Sequence, residues 1–204
     1  LTDMREAIGA ISDVSRELRE LLNAYSRMAS GDLEAIDVNE VIRKTELQLR
    51  MEAHDRGIDV LVDSNRSTPR VQAIQSRLEQ ILTNLVLNAI QQVDWQNARM
   101  RQIAREKSKD SVLLSKNQII IEAKFVGYES RYPVQIWVID TGPGVHYQRW
   151  DEVFLMDTST REEGHGMGLF ISKNLAEAMG GRIHLVGSYM FIGTAFVIEL
   201  PMAQ

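Results

Sequence analysis

Apolar side chains recur at Met4, Ile8, Ile11, Val14, Leu18, Leu21, Tyr25 and Met28, at steps alternating between 3 and 4 with one extra 3. That spacing is close to a heptad seam on a helix. Arg5, Glu6, Arg16, Glu17, Arg19 and Glu20 occupy the faces between, as a solvated flank requires. Such a stripe either packs inward on its own domain or pairs with a second helix, and the seam-like regularity favours pairing. Ser30-Gly31-Asp32 closes the segment, because glycine just past a helix is the usual stop.

The pattern then changes to alternating helices and strands. Asp37 is an N-cap for a helix running to about Arg56, with Gly57 as its stop. Ile58–Val62 reads as a short strand, Pro69 breaks the chain, and Val71–Ile74 is another brief extended run. From Gln75 to about Gln96 a long helix turns Leu78, Ile81, Leu82, Leu85, Val86, Ala89 and Val93 inward. Ile119–Val126 and Val134–Asp140 form a hairpin about residues 127–133. Met167–Met179 is a helix stopped by Gly180-Gly181, and Arg182–Val186 and Ala195–Leu200 complete a sheet. Residues 94–117 carry a charge run (Arg99, Arg101, Arg105, Lys107, Lys109, Lys116) that reads as a solvated helical extension and loop rather than a docking surface.

Composition narrows the classes. At 204 residues and 44% hydrophobic, the chain can bury one core plus an appendage. A net charge of −5 argues against non-specific nucleic-acid binding. There is no cysteine, so disulfides and thiolate metal sites are excluded. His54, His146, His165 and His184 show no i, i+4 pairing suited to zinc. No apolar run approaches a membrane span and no signal-peptide pattern opens the chain. Because it begins at Leu1 rather than methionine, the expectation is a fragment, with any sensor or membrane region upstream.

Three motifs carry the chemistry. Asn84 and Asn88 lie one turn apart within LEQILTNLVLNAIQQV, interrupting an apolar helix where an unpaired amide is costly to bury. An amide carbonyl facing a pocket suits Mg²⁺, a hard cation that takes oxygen ligands. Asp140 ends the strand VQIWVID and opens DTGPGV; its carboxylate can accept from the exocyclic amine of adenine, while Gly142 and Gly144 allow close approach of a base. GHGMGL at Gly164–Leu169 opens a helix, and backbone N–H groups at such a start favour phosphate. In this order and spacing the three read as a nucleotide site.

These residues resemble the N box, D-x-G-x-G box and G-x-G-x-G box of histidine-kinase catalytic domains, in a superfamily shared with DNA gyrase B, MutL and the 90-kDa heat-shock chaperones. Glu152-Val153-Phe154 and Thr158-Ser159-Thr160-Arg161 resemble the phenylalanine box and the lid, and Gly193-Thr194-Ala195-Phe196 the closing strands. The resemblance implies the Bergerat ATP-binding fold, a two-layer α/β sandwich with a mixed, mostly antiparallel sheet. The open sheet face would be polar or covered by a loop. Residues 1–32 would be the second helix of a dimerising hairpin, and 33–204 the ATP-binding domain. Asn88 would ligate Mg²⁺ on the ATP phosphates with Asn84 in support, and Asp140 would bind adenine over Gly142 and Gly144. Arg161, Gly164, Gly166, Gly168 and Leu169 would close on the phosphates, within or beside a lid of residues 145–163.

The implied function is Mg·ATP-dependent phosphorylation of a histidine lying outside this chain, since none of the four histidines has the acceptor's setting. Implied partners are a response-regulator receiver domain and a second copy through residues 1–30, in the cytoplasm or on the cytoplasmic side of a membrane sensor. Gln91 departs from the lysine frequent three residues past the metal-binding Asn. Alternatives are a scaffold module that has lost transfer and a serine kinase of the same fold. A hydrolysing clamp is disfavoured, because its relatives carry Glu where this chain has Asn84, and Asn cannot act as a general base.

Overall fold

The computed structural model describes residues 31–64, 68–106, 116–155, 167–189 and 192–203. The stripe at 4–28 and the dimerisation reading attached to it lie outside these residues, as do Arg161, Gly164 and Gly166.

Two layers form the domain. A five-stranded sheet runs in the order β2 (Asp59–Ser64), β4 (Gln118–Phe125), β5 (Val134–Asp140), β7 (Gly193–Leu200), β6 (Arg182–Tyr189). Only the β2–β4 pair is parallel, so the sheet is mixed and mostly antiparallel, as expected. Helices α1 (Val38–Asp55), α2 (Gln75–Glu106) and α3 (Met167–Ala178) pack against it, with α2 touching both other helices. A small ribbon of β1 (Glu34–Ile36) and β3 (Val71–Ala73) joins the C-terminus through a bridge between Val71 and Met202. β1 is too short to show an alternation, and the sequence reading passes over it.

Local chemistry sets the helix ends. Asp37 caps α1, its carboxylate accepting from the Asn39 N–H at 2.8 Å, and Gly57 at φ 69° follows the last turn. Such a cap contributes about 1 kcal/mol. Every position expected to face inward on α2, from Leu78 to Val93, is buried. Ile90 joins them because a helix flanked on both sides needs a wider apolar stripe.

Several boundaries differ from expectation, most of all at α2 and the β6–β7 turn. α2 continues ten residues past Gln96, to Glu106. Its Arg99, Arg101 and Arg105 are exposed, as a solvated extension requires, yet Gln96 and Asn97 are buried. β6 and β7 run on to Tyr189 and back from Gly193, because a register shift between Leu185 and Gly187 lets glycine- and serine-containing chain stay in the ladder.

Strand alternation decides the placement of the site. In β5, Val134, Ile136 and Val138 face the helices, and the same parity carries Asp140 onto the buried side. The opposite face is half polar. Glu199 accepts from Gln135 at 2.8 Å and pairs with Arg182, and the Trp137 indole donates to Gln135 at 3.1 Å. Nearer the Asp140 end, Leu61, Ile120, Ile139 and Ala195 stand in one register row, with Leu61 45% exposed. The open face is therefore polar only in part.

Candidate functional site: the end of β5 against α2 and α3

Asp140 is 4% exposed where its strand meets the helix layer. Its carboxylate accepts from the Gly142 N–H at 2.8 Å and from the Thr194 N–H. Burial dominates these two bonds and pushes its pKa up to about 7, since a low-polarity environment penalises the charged form. A buried carboxylate with only part of its acceptor capacity used is suited to a further donor.

The turn after it tolerates no side chain. A Cβ at Gly142 would lie 2.7 Å from Asp140 Oδ1 and 3.1 Å from the Gln92 Cβ. This close approach brings the Asp140 turn against α2, one turn beyond Asn88. A Cβ at Gly193 would stand 1.9 Å from the Asp140 carbonyl oxygen, and its φ of 143° lies in the region favouring glycine. Gly144, at φ 74°, turns the chain out of the site.

The next peptide is held at both ends. The Val145 N–H donates to Ser188 Oγ, and the Val145 carbonyl accepts from the Trp150 indole at 3.1 Å. Ser188 also donates to the Gly193 carbonyl at 3.2 Å. Residues Tyr147–Arg149 form one 3₁₀ turn, and Phe154 is buried edge-on to Phe196 with ring centroids 5.9 Å apart. The segment leading away from Asp140 is thus anchored on β6 and β7.

On α2, Asn84 and Asn88 are both half-buried. The Asn84 amide nitrogen donates to the Gly168 carbonyl and to Ser172 Oγ, each at 3.3 Å, and Ser172 Oγ donates to the same carbonyl at 2.8 Å. Asn84 is therefore tied to the first turn of α3, while the Asn88 amide engages no described residue. Leu169 is half-buried, its side chain against the core, leaving its backbone at the helix start.

The structure thus joins Asn84 to Gly168, and Asp140 and Gly142 to the stretch of α2 just past Asn88. Sequence reasoning missed Gln92, Ser172, Ser188 and Trp150, and read Gly193 only as turn and closing strand. Gln92, Ser172 and Ser188 act through contacts across 40 or more positions, and Trp150 through an indole bond within an irregular loop; neither leaves a periodic signal. Among the described residues no cluster of three or more His, Cys, Asp or Glu could hold a metal ion. No helix among them is long and apolar enough to cross a membrane.

Residues 73–204 match the family described as histidine kinase-, DNA gyrase B- and HSP90-like ATPase. The chain is 31% identical over 170 residues to the sensor histidine kinase ZraS of Escherichia coli (strain K12), covering 83% of this chain and 31% of ZraS. It is 28% identical over 216 residues to the sensor protein SrrB of Staphylococcus aureus (strain N315), covering 99% of this chain and 32% of SrrB. It therefore spans about a third of the length of these curated relatives. The fold is similar to full-length ShkA in complex with AMPPNP (TM-score 0.69, 24% identity, 98% of this chain and 39% of that one). It is also similar to the catalytic domain of histidine kinase ThkA (TM-score 0.64, 23% identity, 84% of this chain and 96% of that one). Asp140, Gly142 and the described end of the third motif, Gly168, adjoin the α2 stretch that carries Asn84 and Asn88, and the family match spans all three motifs: the chain belongs to the histidine kinase-, DNA gyrase B- and HSP90-like ATPases.

Proposed function

We propose that residues 33–204 are the Mg·ATP-binding catalytic domain of a sensor histidine kinase, delivering the γ-phosphoryl group to a histidine outside this chain. The observation that carries this reading is the junction of α2 with both other motifs: Gln92 against Gly142, and Asn84 against Gly168. A ligand touching Asp140 and the start of α3 would run along the α2 face that bears Asn88 and Asn84.

In this reading ionised Asp140 accepts from the adenine amine, and Gly142 and Gly144 leave room for the base. Asn88, with no protein partner for its amide among the described residues, would supply a hard oxygen to Mg²⁺, with Asn84 in support. Mg²⁺, when bound, would neutralise charge on the phosphates, taking its remaining ligands from phosphate and water. Arg161 and the backbone at Gly164, Gly166, Gly168 and Leu169 would hold the γ-phosphate. The acceptor imidazole attacks phosphorus as the bond to the ADP oxygen breaks, so this domain positions and neutralises rather than supplying a nucleophile. The Asn84 amide donates to two groups on α3 and carries no basic atom, which speaks against water activation of the gyrase type.

Residues 1–32 would provide half of a dimerising hairpin, the phosphoryl group would pass to a receiver domain, and the chain would work in the cytoplasm. Calorimetric titration with ATP, with and without Mg²⁺, tests the core of the proposal. Asp140→Ala should weaken binding about ten- to hundredfold, the worth of a hydrogen bond to a charged group. Asn88→Ala should bind metal-free ATP as the parent does and lose most of the Mg²⁺ enhancement. Parent-like affinity in Asp140→Ala would remove Asp140 from the site and overturn the reading.

A further inference from the structure

Asn84 meets α3 at two acceptors of different kinds. The Gly168 carbonyl can only accept, so the group facing it must be the amide NH₂ and not the amide oxygen. Ser172 could either donate or accept, but its proton goes to the Gly168 carbonyl at 2.8 Å, the shortest contact of the three. Towards Asn84 it is therefore left as an acceptor, at 3.3 Å. Ser172, the sixth residue of α3, is fully buried, so this hydroxyl has no water to exchange with.

Both amide protons thus point to α3, and Oδ1 takes no hydrogen bond among the described residues. The Asn84 residue is half-buried, not sealed from solvent as Thr45 and Gln96 are. We propose that Ser172 is a positioning residue of the nucleotide site: by accepting from Asn84 it locks that amide with its carbonyl oxygen outward, as an oxygen donor to the cation or its bound water. Without Ser172, one amide proton loses its partner and the orientation rests on a single long bond to Gly168. The inference rests on the proposed Mg·ATP site for its functional consequence, but the amide orientation stands on geometry alone.

The test compares the parent with Ser172→Ala and Ser172→Thr, the latter keeping a hydroxyl that can bond back to residue 168. The first readout is the Asn84 side-chain NH₂ pair in ¹⁵N-correlated NMR spectra of nucleotide-free protein, assigned by its loss in Asn84→Ala. Slow solvent exchange of this pair in the parent, fast exchange in Ser172→Ala and recovery in Ser172→Thr are expected. The second readout is the ratio of ATP affinities with and without Mg²⁺, expected to fall about tenfold in Ser172→Ala and to recover in Ser172→Thr, as for other groups that orient a metal's ligands. An unchanged NH₂ pair in Ser172→Ala overturns the proposal whatever the nucleotide data. An altered pair with an unchanged Mg²⁺ ratio overturns its functional half. If the parent itself binds no ATP, the proposed function fails, while the NMR comparison still decides the orientation.

Discussion

If Asp140 holds adenine as proposed, it meets opposite demands in the free and bound states. Its raised pKa, about 7, means that the folded chain keeps a proton that the unfolded chain gives up near the ordinary carboxylate value. Between those two values the native state binds more protons, so the stability of nucleotide-free protein should fall as pH rises from about 4 to about 7. In the proposed site adenine would need the ionised form, so binding should show the opposite trend. With a pKa of about 7, raising pH from 6 to 8 should tighten ATP binding about tenfold, because only the ionised fraction is competent. Asp140→Asn should flatten this slope; titration of the nucleotide's own phosphates is common to both proteins, so it cancels in the comparison. A parent and variant with equal slopes would deny Asp140 the role. Asp140 was legible in sequence because a carboxylate closing an apolar alternation announces itself. Gly193 was less so, since its need for glycine comes from the Asp140 carbonyl, 53 positions earlier in the chain.

Among the elements, the end of α3 shows two adjacent glycines with different duties. Gly180, at φ 73°, stops the helix, with open space where a Cβ would go. Gly181 lies against the sheet, where a Cβ would come within 2.4 Å of the Glu199 carbonyl oxygen. Gly180→Ala should therefore cost about 1 kcal/mol through backbone strain, and Gly181→Ala more, about 1–3 kcal/mol through overpacking. Urea unfolding checks the order, with the midpoint shifting further for Gly181→Ala at similar slope; the reverse order would mean the layers part easily there. Sequence reasoning saw the pair as one stop, because packing between layers has no period. It found α2 from its apolar stripe, α1 and α3 from their cap and stop residues, and the hairpin of β4 and β5 from the connection at 127–133. It could not place the end of the helical extension past Gln96, because a charge run looks the same whether coiled or helical.

For the whole molecule, a ligand held by α2, α3 and the end of β5 binds only when both layers are assembled. Mg·ATP at a hundred times its Kd should then stabilise the fold by about 2.7 kcal/mol, or roughly 5–10 °C in Tm for a domain of this size. Asp140→Ala should show little shift at the same concentration, and a parent protein that melts unchanged would deny the site a native ligand. The two-layer architecture was legible through the resemblance that the three motifs carry, but the mixed character of the open sheet face was not. Its polar half and its apolar row arise from register among five strands, which no single strand reveals. The tether at Val145 has an optical corollary. Trp150 donates its indole N–H to that carbonyl one residue past Gly144, whereas Trp137 lies on the opposite face of the sheet. Indole emission follows the polarity around the ring and the state of its N–H, so any movement of the chain past the Asp140 turn is written into the fluorescence of Trp150, separable from Trp95 and Trp137 by their replacement with Phe and with no dye required.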